Sequence, residues 1–169
     1  MKLVDPAADL WREVVADDAL VAVPAAAANR LLTLAQWQSV RSSWPAALPV
    51  GLLAANDLDL ETVAADLPRF ALVALQFPKW VDGRAYSQAR LLRARFRFAG
   101  EVRATGEVLV DMLPLLVRTG FDSALLRTDQ SHEVARRALS FFPHGHYQGD
   151  VAETRPRFAR DGVAAELRR

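Results

Sequence analysis

The chain has 169 residues, of which 51% are apolar, and its 21 basic and 20 acidic side chains leave a formal charge of +1 at pH 7. This length fits one domain with a substantial core, and the near-neutral charge gives no reason to expect a nucleic-acid or membrane partner. The lack of cysteine excludes disulfides, a thiolate nucleophile, zinc held by sulfur and cysteine-ligated iron–sulfur clusters within this chain. Charges and a proline interrupt the amino-terminal apolar residues, and no run approaches a membrane span, so we expect a cytoplasmic location.

The beginning of the chain carries weak local signals, and we interpret residues 1–30 as an amino-terminal arm. It contains LWREVV and LVAV, which are candidate short strands. The first clear element follows the arm. Thr33 and Gln36 have the spacing of a capping box, in which each residue satisfies a free backbone donor of the other. We therefore expect a helix over residues 33–43.

An apolar strand, a helix and a second apolar strand are predicted next. The run VGLLA at 50–54 has the continuous apolar character of a parallel strand that is covered on both faces. Asp57 or Asp59 is expected to cap the following helix, which stops at Pro68. The run ALVALQF at 71–77 is the clearest strand in the sequence.

The second half of the chain repeats this order of elements. The helix after ALVALQF places Ala85, Ala89, Leu92 and Phe96 on one buried stripe. The later predicted elements are a strand at EVRATG (101–106), a helix from near Asp111 to Gly120, a strand at SALLR, a helix capped by Asp129 or Ser131, and a loop-rich tail over 143–169.

Strands that alternate with helices predict a single α/β domain over 1–169, with a mainly parallel sheet of about four βα units. Four units are too few to close an eight-stranded barrel within one chain. The sheet is therefore either open, with helices on both faces, or curled like half a barrel that a second copy completes. We favour the open sheet, and a homodimer is one way to cover its parallel edges.

Polar and cationic residues follow two neighbouring strands of this predicted sheet. Parallel strands end at the same edge, so the loops after 71–77 and 101–106 are expected to lie side by side. A helix amino terminus offers free backbone donors and a partial positive charge, which suit a small oxyanion. We interpret Tyr86 and Lys79 as candidate catalytic proton carriers, and Asp82, Gly83, Arg84, Ser87, Arg90, Arg103, Thr105 and Gly106 as candidate ligand-binding residues.

Several of these residues have a structural interpretation as well. Asp82 stands where a helix cap is expected, and the arginines of the helix have the pattern of a solvated face. Arg103 has Glu101 and Glu107 as potential ion-pair partners. Tyr86 would need a strongly lowered pKa to act as a base, and nothing in the sequence provides one.

Metal and nucleotide signatures are weak in this sequence. His144 and His146 lie close to Asp150, but their spacing matches no established metal-ligand pattern, so we predict no metal site. The chain has no Gly-x-Gly-x-x-Gly, phosphate-loop or Gly-x-Ser-x-Gly motif. The sequence therefore identifies no cofactor.

Two runs, DGRAYSQARLLR and GEVRATGEVLVDMLPLLVRTGFDSALL, resemble the bacterial domain-of-unknown-function family 934. A looser similarity extends from Trp37 to Phe142. Ala85 stands where the family usually has glycine, and Glu107 where it usually has aspartate. The resemblance makes its motif residues functional candidates, namely Gly83, Arg84, Tyr86, Ser87, Gln88, Arg90, Arg103, Gly106, Asp111, Arg118, Gly120 and Asp122.

Members of this family are associated with assimilatory sulfite or nitrite reductase and are commonly described as oxidoreductases of sulfite reduction. The resemblance therefore implies an accessory protein of sulfite assimilation, with a sulfite or nitrite reductase subunit as partner and a small oxyanion as candidate ligand. Two versions of this role remain open. In one the chain is an oxidoreductase component, and in the other it is a non-catalytic adaptor that docks onto the reductase.

Overall fold

Seven strands form one parallel sheet in the computed structural model, which describes residues 1–14, 24–142, 149–151 and 153–155. The spatial order is β2-β3-β4-β5-β6-β7-β1, so neighbours are consecutive in the chain except where β1 joins β7. The sheet is curled into a half-barrel. The strands are β1 Lys2–Leu3, β2 Arg12–Glu13, β3 Arg30–Thr33, β4 Val50–Ala54, β5 Phe70–Phe77, β6 Glu101–Gly106 and β7 Ser123–Ala124.

Capping residues mark the start of the first helix and the end of the third. Thr33 accepts from the Gln36 backbone N–H at 3.3 Å, and Gln36 Oε1 accepts from the Thr33 N–H at 2.9 Å, which confirms the predicted capping box. Gly120 ends the third helix with a left-handed φ of +102°. The helices are α1 Leu34–Val40, α2 Arg84–Ala94, α3 Leu113–Thr119 and α4 His132–Leu139.

Some predicted elements differ in type or number. The helix expected before Pro68 is replaced by two short 3-10 turns, Leu60–Val63 and Leu67–Arg69, of which Asp59 caps the first. A 3-10 turn at Val110–Met112 also precedes α3. The count of about four βα units is not confirmed, because β1 and β2 lie within the expected arm and each has two residues. The segment LVAV and most of the expected tail, including His144 and His146, lie outside the described residues.

The main core lies on one face of the sheet. Leu32, Leu52, Val73 and Val102 share one register across β3 to β6 and belong to a single buried cluster. All four helices add side chains to that same cluster, for example Trp37, Leu92, Leu116 and Ala135. The open sheet with helices on both faces, which we favoured from the sequence, is therefore wrong, and the observed sheet is curled like the half-barrel of the alternative within a single chain.

The opposite face, called the inner face below, carries the alternate residues of the same strands. Leu53, Ala74, Arg103 and Ser123 share a register across β4 to β7 on this face. A small apolar cluster of Leu31, Leu72 and Ala74, with Trp11 packed against it, covers one part. Another part carries charge, because Arg103 and Glu101 alternate with the core residues of β6.

The connection between β1 and β2 joins opposite edges of the sheet, and it crosses the inner face, where its Asp9 accepts a hydrogen bond from Arg103. In a flat sheet the six gaps between seven strands would span about 29 Å, which is at the upper limit of the reach of eight fully extended residues, about 26–29 Å. Residues 4–11 are not fully extended, since the Ala8 N–H bonds back to the Asp5 carbonyl at 3.1 Å. The curl of the sheet brings the two edges close enough for this short connection. Within the described ranges, no helix is both long and apolar enough to cross a membrane.

Candidate functional site

The loop after β5, residues 79–84, stands at the carboxyl end of the sheet, but two of its three charged residues, Asp82 and Arg84, pair with each other. Arg84 Nη2 donates to Asp82 Oδ2 at 2.7 Å, and Arg84 Nε donates to Asp82 Oδ1 at 3.0 Å. The Arg84 hydrogen bonds hold the pKa of the Asp82 carboxyl at about 2, below the ordinary 3.8. Asn56 donates to the same carboxylate at 2.7 Å. The Arg84 guanidinium is therefore held in place by the Asp82 carboxylate, which neutralises its charge.

The other candidate residues of the loop 79–84 and of α2 are either exposed or packed. Lys79, Gly83, Ser87 and Arg90 are exposed. Tyr86 is half-buried, with its ring 5.1 Å from Phe77 and 6.4 Å from Phe121 between centroids. Burial raises the pKa of the Tyr86 phenol above its usual value, so the phenol is protonated at neutral pH and is a poor base.

Gln88 links α2 to the loop that follows β4. Its amide nitrogen donates to the carbonyls of Ala55 and Leu58, both at 2.9 Å, and the residue is 6% exposed. Its side-chain oxygen is buried and finds no partner in the described part of the chain. These contacts make Gln88 a residue that fixes the loop carrying Asn56, which in turn contacts Asp82.

Arg103 lies on the inner face, within a cluster of charged and polar groups. Its Nε and Nη2 donate to Glu101 Oε1 at 2.9 and 2.8 Å, and its Nη1 donates to Asp9 Oδ2 at 2.7 Å. The Ser123 hydroxyl also donates to Glu101 Oε1. The ion pair with Glu101 that the sequence suggested is therefore present. The second carboxylate, Asp9, comes from the segment that crosses the inner face, and sequence reasoning missed it.

Thr105 and Gly106 close the end of β6. Thr105 is buried at 8% exposure and lies beside Gln76 of β5. Gly106 has a left-handed φ of +92°, and the N–H of Glu107 donates to the Phe77 carbonyl at 2.8 Å. Glu107 pairs with Arg127 at 2.7 Å, and Arg127 pairs with Asp129 at 2.7 Å. Glu107, which stands where the family usually has aspartate, thus belongs to a network of ion pairs with Arg127 and Asp129.

Some family motif residues form a brace at the amino-terminal end of β6 and β7. Arg93 donates to the carbonyls of Gly120, Phe98 and Gly100 and pairs with Asp122. Asp122 also accepts the N–H of Val102 at 2.8 Å. This brace accounts for the glycine and the aspartate of the run Gly120-Phe121-Asp122. Gly120 and Asp122 are structural in this arrangement.

A cleft of about 570 Å³ opens at the carboxyl ends of β3, β4 and β5. Its polar lining includes Thr33, Gln38, Asp57, Asp59 and Gln76, with no lysine or arginine among the described residues. The cationic loop 79–84 therefore does not line this concavity. No group of three or more histidine or acidic residues suited to a metal ion occurs among the residues that the structure describes.

Trp80 and Val81 lie in the loop 79–84, and the sequence predicted no function for either of them. They are 56% and 65% exposed at the tip of the loop 79–84. Nothing in the local sequence pattern reports that this tryptophan points outwards. The loop thus combines exposed apolar surface with the exposed cation of Lys79.

A comparison with protein-family models matches residues 51–158 to the family described as "Bacterial protein of unknown function (DUF934)". The match contains both runs on which the resemblance rested, and it extends over β4 to α4. No curated protein matches the chain. Because the family model covers more than half of the sequence, the chain belongs to the bacterial family of unknown function 934.

Proposed function

We propose that the chain is a non-catalytic accessory protein of assimilatory sulfite reduction that docks onto a sulfite or nitrite reductase subunit. Residues 79–84 are the docking loop. The pathway rests on the association of the family with these reductases. The docking role rests on one observation, the exposed pair Trp80 and Val81 at the tip of the loop.

The charge arrangement favours docking over catalysis. Of the three arginines expected to hold an oxyanion, Arg84 is neutralised by Asp82, and Arg103 is buried against Glu101 and Asp9. Arg90 alone is exposed without a carboxylate in the described part of the chain. Tyr86, the candidate proton carrier, is half-buried and protonated at neutral pH. These groups do not converge on a common reacting atom.

The loop has the composition of a protein-binding surface. Tryptophan is enriched among the residues that dominate binding energies, because a large apolar side chain gains much when a partner removes it from water. Val81 extends this apolar surface, and Lys79 adds an exposed positive charge beside it. We therefore expect the partner surface to present an apolar pocket with acidic residues at its border.

The test compares Trp80→Ala with a matched aromatic control. Phe141 is 60% exposed, close to the 56% of Trp80, and lies beyond α4, outside the docking loop. Binding of each purified variant to the assimilatory sulfite reductase of the same bacterium is measured by biolayer interferometry. We expect Trp80→Ala to weaken binding by at least about tenfold, equal to about 1.4 kcal/mol, and Phe141→Ala to leave it unchanged.

A growth assay separates docking from catalysis. A deletion strain that carries Trp80→Ala should grow poorly with sulfate as its sole sulfur source. The variants Tyr86→Phe and Lys79→Met, which change the candidate proton carriers, test catalysis in the same strain. Tyr86→Phe should support full growth. Lys79→Met should reduce growth only as far as it reduces reductase binding. If either variant stops growth while reductase binding is intact, the oxidoreductase version of the function replaces docking.

A further inference from the structure

Arg103 is the only charged residue among the described ones that is buried, at 4% exposure. Removing a guanidinium from water is costly unless carboxylates and hydrogen bonds compensate for the lost solvation. A buried arginine on the inner face of a half-barrel therefore needs an explanation beyond packing. Apolar residues occupy neighbouring inner positions at Leu31, Leu72 and Ala74.

The hydrogen bonds of Arg103 leave part of its guanidinium unused. A guanidinium has five N–H donors. The Nε donor and one Nη2 donor bind Glu101, and one Nη1 donor binds Asp9. One donor on each terminal nitrogen has no partner within the described residues. Arg103 can thus donate hydrogen bonds to further oxygen atoms through its two terminal nitrogens.

Open space adjoins the contact between Asp9 and Arg103 on two sides. One cavity of about 270 Å³ is lined by Lys2, Asp5 and Glu101 together with both residues of the contact. A second cavity of about 190 Å³ is lined by Leu31 and Thr105 together with the same two residues. Both cavities are lined by Asp9 and Arg103, so displacement of the Asp9 side chain would leave more open space around the guanidinium.

The segment that carries Asp9 is held loosely. We call residues 5–10 the strap. Its flanking residues bond to the sheet, through the Val4 N–H to Ala124 and the Arg12 N–H to Asn29. Between them, Asp9 makes the only hydrogen bond from the strap to the inner face among the described residues. Leu10 is 73% exposed, so the strap buries little apolar surface that would resist its movement.

We propose that the inner face around Arg103 is a binding site for a small oxyanion, and that the Asp9 carboxylate occupies this site in the closed state. The ligand displaces Asp9 from Nη1 and binds the unused donors as well, which requires more acceptor oxygens than one carboxylate oxygen provides. Sulfite, sulfate and phosphate share this chemistry. The site is independent of the docking loop, so either proposal can fail without the other.

The first experiment removes the internal competitor. Asp9→Ala leaves Arg103 paired with Glu101 and opens the Nη1 side, while Glu133→Ala removes an exposed carboxylate of α4 that lines neither cavity. Sulfate binding is measured by calorimetry at constant ionic strength, with sulfite and phosphate as the other probes. If the closed state dominates, Asp9→Ala should bind the preferred anion at least about tenfold more tightly than wild type. Glu133→Ala should match wild type.

A third variant tests the geometry of the guanidinium. Asp9→Ala combined with Arg103→Lys keeps the positive charge but loses the planar fork of donors, so the gained affinity should disappear. Circular dichroism checks that each variant is folded. A folded Asp9→Ala protein with wild-type affinity for all three anions would overturn the proposal.

A second measurement uses the wild-type chain and does not depend on any variant. Hydrogen–deuterium exchange of residues 5–10 should become faster in sulfate, sulfite or phosphate, and not in chloride at the same ionic strength, because the anion displaces the strap. Unchanged exchange in all three anions would overturn the proposal. This measurement also decides the case in which Asp9→Ala fails to fold.

Discussion

Gly106 approaches the backbone of Phe77 so closely that a β-carbon on Gly106 would lie 2.5 Å from the Phe77 carbonyl oxygen. The two residues are register partners at the ends of β6 and β5. The left-handed φ of +92° at Gly106 lets the N–H of Glu107 donate to that same carbonyl. The end of β6 is therefore fastened to β5 by a turn that only glycine fits without strain.

Gly106→Ala should destabilise the fold by about 2 kcal/mol or more, because left-handed strain and a backbone clash add together. Gly83→Ala is the matched control. The nearest atom to an added β-carbon at Gly83 lies 3.6 Å away, and its φ is −85°. We expect that variant to change the free energy of unfolding by less than about 0.5 kcal/mol. Urea unfolding of both variants measures the difference, and equal losses would contradict this account of the turn.

Leu75→Ala should lower the free energy of unfolding by about 2–5 kcal/mol, because Leu75 is fully buried at the centre of β5 and its loss leaves a cavity. Leu115 provides the comparison, since it is 43% exposed on α3. Leu115→Ala should cost less than about 1 kcal/mol. Both values come from chemical denaturation, and a small loss for Leu75→Ala would show that β5 is not the central strand of the core.

The pair of Asp82 and Arg84 should make stability depend on pH in the acid range. The pKa of Asp82 is held at about 2, below the ordinary 3.8, so the carboxylate stabilises the folded chain above pH 3.8 and loses this effect as the pH falls towards 2. The stability difference between wild type and Asp82→Asn should therefore be largest near neutral pH and shrink between about pH 4 and about pH 2. Urea unfolding at several pH values measures it. A stability difference that stays constant over this pH range would contradict the ion pair. Asp129 also contributes to stability in the acid range, but its contribution cancels because both proteins contain it.

Tyr86 should titrate above the ordinary tyrosine pKa of 10.0, because burial disfavours the phenolate. Ultraviolet difference titration of wild type and Tyr86→Phe isolates this signal. Tyr86→Phe keeps the ring between Phe77 and Phe121 and should leave stability nearly unchanged, whereas Tyr86→Ala removes the packing and should cost about 2 kcal/mol. A Tyr86 signal at or below 10 would mean that the ring is more hydrated than its packing indicates.

Local signals predicted the elements with strong periodicity or caps. The runs that became β4 and β5 are almost entirely apolar, and Thr33 with Gln36 set the start of α1. Of the two-residue strands, β7 lies within the predicted strand SALLR and β2 within the candidate strand LWREVV, whereas β1 had no local signal. Their pairing depends on distant residues that no local window contains.

The candidate site was predicted in part for the same reason. Alternation along β6 places Arg103 and Glu101 on one face, and the sequence offered that ion pair as an alternative. Asp9 joins them from 94 residues away, a relationship that sequence spacing does not report. The outward direction of Trp80 depends on how the loop 79–84 leaves β5, which is set by the bonds of Asp82 to Arg84 and Asn56.

The order of strands also has a consequence for how the chain is made. Strands β3 to β7 pair with sequence neighbours, so each can join the sheet as the ribosome releases it. Strand β1 is synthesised first, yet its partner β7 comes from Ser123–Ala124. The amino-terminal residues must therefore wait, unpaired, until most of the chain has been translated, and closing this long loop is expected to be a late and slow step of folding.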